Sequence, residues 1–332
     1  LVARMRGRVE GEVIRSTDCA GLAVRALRLS GQNISNSEGR DAVLRRALHT
    51  TGDFPNLLGT AVGRVLHQGY LEAPSALKLI SRKVTLPDFR DKAGVRLGGA
   101  SDLLKVNEHG EFKYGTVQDA GNSWKLSTYG RIIGLTRQAL VNDDLDGFSQ
   151  VLVKFGQAAA RLEAEQLVNA LTSPPQVDAA DIFSVARKSL QTGGGSALGS
   201  SSLTVAVTQL WQQRELGNVL VQQEPGFLVV PAALESTARQ LVATINPTKV
   251  ADVQPYRLEV LVEPRLDAVS ATAWYLVAKN QSSLEHGYLD GEEGVQTDTQ
   301  VGFEIDGVAI KARLDFGCGW AGYVGWVKGV GA

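Results

Sequence analysis

The run Gly317-Cys-Gly-Trp-Ala-Gly322 has the G-x-G-x-x-G spacing with which a backbone can wrap a pyrophosphate. A dinucleotide unit needs a helix and a second strand after that turn, and the chain ends at residue 332. These glycines are therefore read as places where backbones pass closely. Gly193-Gly-Gly195 lacks the Gly-Lys-[Ser/Thr] of a phosphate loop and is read as a flexible surface loop. His49, His67, His109 and His286 never fall at the i, i+4 spacing that presents two metal ligands on one helix face. No serine stands in a G-x-S-x-G elbow. Asp290, Glu292, Glu293 and Asp298 offer oxygens to a cation, but they read as a solvated loop, with interface ion pairs as the alternative. Glu163 and Glu165 read as solvated or interface charges. No catalytic, cofactor-binding or metal-binding constellation emerges, and no cofactor is expected.

Composition narrows the class. The chain has 34 basic and 35 acidic side chains over 332 residues, a net charge of −1, which argues against a dedicated nucleic-acid binder. No apolar run is long enough to span a bilayer, so no membrane partner is expected. Cys19 and Cys318 cannot supply a zinc site or a disulfide framework, and a reducing cytoplasm fits; each reads as a small hydrophobe or a free thiol. The sequence opens at Leu1 rather than Met, which suggests an upstream piece that was removed, or an end set for expression.

The most informative element is a long helix. After a β-rich stretch, Asn142 or Asp143 can cap its first amides, and Asp143, Asp144 and Asp146 suit the positive end of the helix dipole. Leu145, Phe148, Leu152, Phe155, Ala159 and Leu162 follow at alternating spacings of three and four and form one apolar stripe. Pro174 and Pro175 end it. From Asp143 to Leu171 at about 1.5 Å per residue, the rod would be roughly 43 Å long. That length suits a structural spine.

Residues 1–50 contain nine arginines, five acids and no lysine. This stretch predicts helices over Thr17–Leu29 and Glu38–His49, the latter capped by Ser37 or Ser35. Such an arm could lie on a neighbouring subunit, face nucleic-acid phosphates or remain solvated with intermolecular ion pairs. Residues 53–84 predict an extended lead with a short helix near Leu57–Leu66. From Pro87 to Trp124 the chain is polar, glycine-broken and poor in core residues, with a hairpin signal at Asn107-Glu-His-Gly110. Ordering it inside a monomer would cost entropy that few contacts offset, so it is expected to pack on another subunit. Farther on, helices near Thr204–Leu216 and Ala232–Ala243 alternate with strands at Phe227–Val230, Leu258–Val262 and Ala273–Ala278. Phe303 to Leu314 returns to strand alternation around a turn at Asp306-Gly307, and Trp320 to Val327 supplies a final core strand.

The Thr136-Arg-Gln-Ala-Leu-Val-Asn-Asp-Asp144 junction and its long helix resemble the major capsid proteins of tailed phages. Asp53-Phe-Pro-Asn-Leu-Leu-Gly59, Leu86-Pro-Asp-Phe89, Val262-Glu-Pro-Arg-Leu-Asp-Ala268 with Ala271-Thr-Ala-Trp-Tyr-Leu276, and Asp306-Gly-Val308 with Arg313-Leu-Asp-Phe-Gly317 carry the likeness in order. The likeness is greatest to the branch encoded as a fusion behind a prohead protease. It implies an α+β, Hong Kong 97-type capsid fold. The implied parts are an N-terminal arm (1–52), a lead-in (53–87), an extended E-loop (88–122) and a peripheral domain (123–177) with a spine helix (143–171). An axial domain (178–283), returning peripheral strands (284–316) and a last axial strand (317–332) complete it.

The function so implied is a structural head protein, not an enzyme. It would form hexamers and pentamers that close into an icosahedral shell around double-stranded DNA, contacted non-specifically. Prohead protease or scaffold, portal and decoration proteins would be its other partners, and the virion, assembled in the host cytoplasm, its place. Arg40, Arg45, Arg46, Phe89, Lys105, Phe112, Lys113, Tyr114, Arg131 and Arg137 are the expected intersubunit contacts, the aromatics because such residues dominate hot spots. Some relatives join an E-loop lysine to an asparagine; Lys105 and Lys113 lie in the right loop, but Asp306 stands near the partner position, so no crosslink is expected. An encapsulin-type nanocompartment shell and an α/β enzyme are the alternative readings.

Overall fold

The computed structural model describes residues 19–30, 32, 39–49, 53–73, 75–97, 119–136, 138, 145–215, 218–243, 257–281, 283–301 and 307–331. The Asn142–Asp144 cap, the Asn107–Gly110 turn and the turn at Asp306 lie outside them. Two compact units emerge, one drawn from Leu1–Pro74, Ser127–Leu162 and Tyr288–Phe316, the other from Ser75–Leu126, Glu163–Gly287 and Gly317–Ala332.

The first unit packs helices against a sheet. Strand Gly307–Trp320 carries Val295–Val301 on one side and Ser127–Thr136 on the other, both antiparallel, with Ile310 opposite Ile133 and Leu314 opposite Val295. Val308, Ile310, Ala312 and Leu314 are buried at every second position, the period by which a strand presents one face. Helices Cys19–Leu29, Arg40–His49 and Asp53–Leu71 close over it through Leu27, Leu44, Ala47, Val62 and Val65.

The Asp53–Leu71 helix corrects the expectation of an extended lead and a short helix. It is 19 residues long, because Pro55 sits in the first turn where its missing N–H costs nothing. Its glycines are packing positions rather than breaks. A Cβ on Gly59 or Gly63 would lie 2.8 Å from Thr299 or Thr297 on the neighbouring strand.

The long helix runs from Leu145 to Thr172, 28 residues and about 42 Å. Its buried face is rotated partly away from the apolar stripe read in the sequence, of which Leu152 is fully buried and Phe155 packs partly buried on the same core. Leu152, Gly156 and Ala160 point inward, whereas Phe155, Ala159 and Leu162 stay half-exposed. Gly156 sets this rotation: a Cβ there would lie 2.2 Å from the Leu66 carbonyl oxygen and 2.6 Å from the Tyr70 nitrogen. Gly156→Ala should gain about 1 kcal/mol of helix propensity and lose about 3 kcal/mol to overpacking against backbone that cannot rotate away. The expected result is a net loss near 2 kcal/mol in denaturant melts of the full chain. A stabilised variant would contradict this crossing.

The second unit is built on a five-stranded sheet in the order Leu190–Gln191, Trp326–Gly329, Trp274–Ala278, Pro225–Val230, Glu259–Val262. Pro225–Val230 and Glu259–Val262 are parallel, and the central Trp274–Ala278 strand is buried along its whole length. Helix Ser200–Trp211 covers one face through Leu203, Ala206, Val207 and Leu210. It starts four residues before the expected Thr204, because the Ser202 hydroxyl accepts the Gly199 N–H at 2.9 Å and organises a first turn from serines that read as loop. Phe183, Tyr275, Trp320 and Trp326 fill the unit with tilted and edge-on ring pairs. Each buried indole finds an acceptor: Trp274 the Ser196 carbonyl, Trp320 the Ala170 carbonyl and Trp326 the Gln281 side chain.

Candidate subunit interface

Beside the half-exposed stripe of the long helix lies an open groove of about 580 Å³. Phe155, Ala159 and Leu162 form its helical wall; Tyr129, Arg131 and Leu314 form its sheet wall. Strand alternation puts Arg131 and the buried Ile133 on the same face, while Ile132 stands 69% exposed on the opposite face. The groove is mostly apolar with a charged edge. Arg313 reaches the Glu292 carboxylate, and its Nε lies 3.3 Å from Asp315 Oδ2 without hydrogen-bond alignment. Thr128 Oγ1 donates to the other oxygen of Asp315 at 2.6 Å.

A second construction, in the other unit, fixes the base of the loop that the sequence assigns to intersubunit contact. Strands Lys92–Leu97 and Asp119–Trp124 pair antiparallel, from Lys92 opposite Trp124 to Leu97 opposite Asp119. Their root is tied to Glu285, which is only 2% exposed. Lys92 donates to its carboxylate, Trp124 Nε1 donates at 3.2 Å, and Arg82 Nη1 stands 3.8 Å away. Asn122 Nδ2 adds a bond to the Trp320 carbonyl at 2.7 Å. Gly287 and Gly319 make room for the Trp124 ring, since a Cβ at either would come within 2.7 Å of it.

The expected contact residues fare unequally. Arg131 lies in the groove, and Phe89 is 46% exposed in the turn after strand Arg82–Leu86. Arg46 is exposed and its Nε donates to Gln32 at 3.1 Å. Arg40 and Arg45 lie on helix Arg40–His49, but their side chains are outside the described set, as are Lys105, Phe112, Lys113, Tyr114 and Arg137 altogether. Glu163 needs correction: it is 1% exposed, not solvated, and accepts from Lys78 Nζ at 2.8 Å. Sequence reading could not place a lysine 85 positions away beside it.

The glycines of the G-x-G run are close-approach positions, with a Cβ on Gly317 2.4 Å from the Lys125 oxygen. Burial pushes the Cys318 thiol up to about 12, so it stays protonated and unreactive at neutral pH. Among the described residues no three His, Cys, Asp or Glu side chains gather as a metal site, and no helix is long and apolar enough to cross a membrane.

An apolar groove beside the longest helix is the kind of surface with which a protein meets a partner. A profile of the phage capsid protein family matches residues 121–329, and the chain belongs to that family. Among solved structures, a protein of Microbacterium phage Oxtober96 superposes with a TM-score of 0.51 at 13% identity, covering 76% of this chain and 90% of that one. The head structure of Helicobacter pylori bacteriophage KHP40 gives 0.52 at 7% identity, covering 76% and 87%. The capsid of a native GTA particle gives 0.52 at 10%, covering 76% and 88%. A comparison with curated proteins found no match. The fold is thus the α+β, Hong Kong 97-type capsid fold, and the chain is a structural capsid protein, a self-assembling component of a virion shell.

Proposed function

We propose that this chain is the major head protein of a tailed phage or prophage, assembling as hexamers and pentamers into an icosahedral head around double-stranded DNA. The observation that carries this reading is the groove beside Phe155, Ala159 and Leu162: apolar surface on a rigid spine, left for an extended segment of a neighbouring copy. Residues 88–122 are the segment assigned to fill it, with Phe89, Phe112 and Tyr114 as anchors and Arg131 and Arg137 as polar partners at its base. Lys105 and Lys113 act there as charged intersubunit contacts rather than crosslinking groups. Arg40, Arg45 and Arg46 serve a second contact along the N-terminal arm, and arginines of residues 1–50 meet DNA phosphates without reading sequence.

The arm, loop, peripheral and axial boundaries given above are retained as the domain assignment. The role is structural and without catalysis, assembly takes place in the host cytoplasm, and the protease-fusion branch with its protease or scaffold, portal and decoration partners completes the setting. Electron microscopy of the expressed chain tests this directly. Closed shells are expected from the wild type, and Ala159→Glu, which sets a charge in the groove on a helix-compatible side chain, should leave a folded subunit that forms none. Wild-type protein that never forms particles, or shells from the variant at wild-type yield, would overturn the reading. Cargo-filled small shells would point to a nanocompartment instead.

A further inference from the structure

Four described residues other than glycine hold a left-handed backbone: Asp178, Ala179, Lys188 and Asn218, with φ of 53°, 56°, 56° and 64°. Three of them line a single pocket of about 480 Å³ in the second unit, and Ala179 directly follows Asp178. Asp178 and Ala179 are the two central residues of the hairpin joining Gln176–Val177 to Ala180–Asp181, a turn that requires positive φ at both, and Lys188 and Asn218 close hydrogen-bonded turns, so tight turns build this pocket wall. Arg187 lies in this pocket. Its Nη2 donates to the Val177 carbonyl and its guanidinium carbon stands 4.1 Å from the Tyr323 ring centroid, so the plane is held from two directions. Its Nη1 is buried and meets no acceptor among the described residues.

A buried guanidinium N–H without an acceptor is costly, and its planar fork matches a carboxylate. The lining also brings Lys188 and Arg214 as cations and Asp178 and Glu215 as carboxylates, three positive charges against two negative. A surplus of one suits a monoanion, whereas a doubly charged phosphate would meet repulsion from both acids.

We propose that this pocket is a carboxylate receptor, with Arg187 Nη1 as the principal donor and Lys188 as the second cation. The carboxylate comes from an acidic side chain of a second copy or from a small organic acid. Only the first source rests on the capsid reading.

Acetate is the probe, titrated into the unassembled full-length chain against chloride at equal ionic strength and followed by calorimetry and thermal melting. Saturable binding is expected, tighter for acetate than for inorganic phosphate. Arg187→Gln should weaken it on the order of tenfold, and Lys188→Gln, on an exposed side chain, a few-fold. The lysine variant keeps the test decisive if the arginine variant does not fold. Absence of saturation, preference for phosphate, or affinity unchanged in both variants would overturn the proposal. In assembled shells imaged at side-chain resolution, a neighbour's carboxylate at Nη1 identifies the second copy as source. A pocket that still takes acetate identifies a free acid, and one that is empty and takes none refutes the assignment. If no shells form, the capsid reading fails while the titration still decides the pocket.

Discussion

Replacing Glu285 with alanine should destabilise the second unit by about 3 kcal/mol, the largest loss expected from any single side chain at the loop base. The carboxylate is buried and takes two donors, Lys92 and Trp124, while the Arg82 guanidinium stands 3.8 Å away as a second positive charge. Its removal leaves the indole N–H without an acceptor and the Lys92 ammonium, whose side chain is 24% exposed, without its counter-charge. An orphaned buried N–H costs about 1–3 kcal/mol, and breaking a buried pair from one side about 3–5. Partial exposure of Lys92 lets it reach water, which holds the sum near the lower end of the second range. Glu285→Gln keeps an oxygen for Trp124 and loses only the charge, so it should fall between alanine and wild type. Denaturant melts measure the loss, and hydrogen exchange locates it: amides of Lys92–Leu97 and Asp119–Trp124 should exchange faster in the alanine variant. A variant within about 0.5 kcal/mol of wild type would show that Glu285 does not secure the stem.

Why Glu285 escaped the sequence while the spine helix did not follows from the range of the signals. A helix declares itself locally, through apolar spacing and the Pro174-Pro175 stop, and strand Gly307–Trp320 through its alternation. The fate of a carboxylate depends on what lies beside it, and Lys92 is 193 positions from Glu285. The same limit hid the groove. Reading by apolar spacing put Leu152, Phe155, Ala159 and Leu162 on one buried stripe; Leu152 is buried, yet the closest helix crossing is made by a small residue off that stripe, Gly156 against Leu66 and Tyr70. Phe155, Ala159 and Leu162 are in consequence only partly buried and line the groove. The β-rich reading put Arg131 on a strand, and the fold sets it in the sheet wall of the groove. The Arg187 pocket was not legible, since its left-handed residues carry ordinary side chains and reveal themselves only in the backbone.

Replacing residues 98–118 by an Asn-Gly turn should leave both units folded and abolish closed shells. The stem permits the surgery: Leu97 and Asp119 face each other across the hairpin, and Asn-Gly supplies the positive φ values of a two-residue connection. Glu285, Trp124 and Asn122 keep their bonds, so thermal and denaturant transitions should shift by less than about 1 kcal/mol. Assembly is more sensitive. A loop–groove contact worth even about 1.4 kcal/mol changes each association constant tenfold, and in a closed shell every copy would bear that loss. The Ala159→Glu subunit should fail in the same way, since it removes the receiving surface instead of the inserted segment. Mixing the two variants separates the roles. A copy with an intact loop but a blocked groove can still donate, one with an intact groove but no loop can still accept, and limited oligomers should form from the mixture alone. Closed particles of normal diameter from the loop-replaced chain by itself would remove residues 98–118 from the assembly mechanism and leave the groove to another occupant.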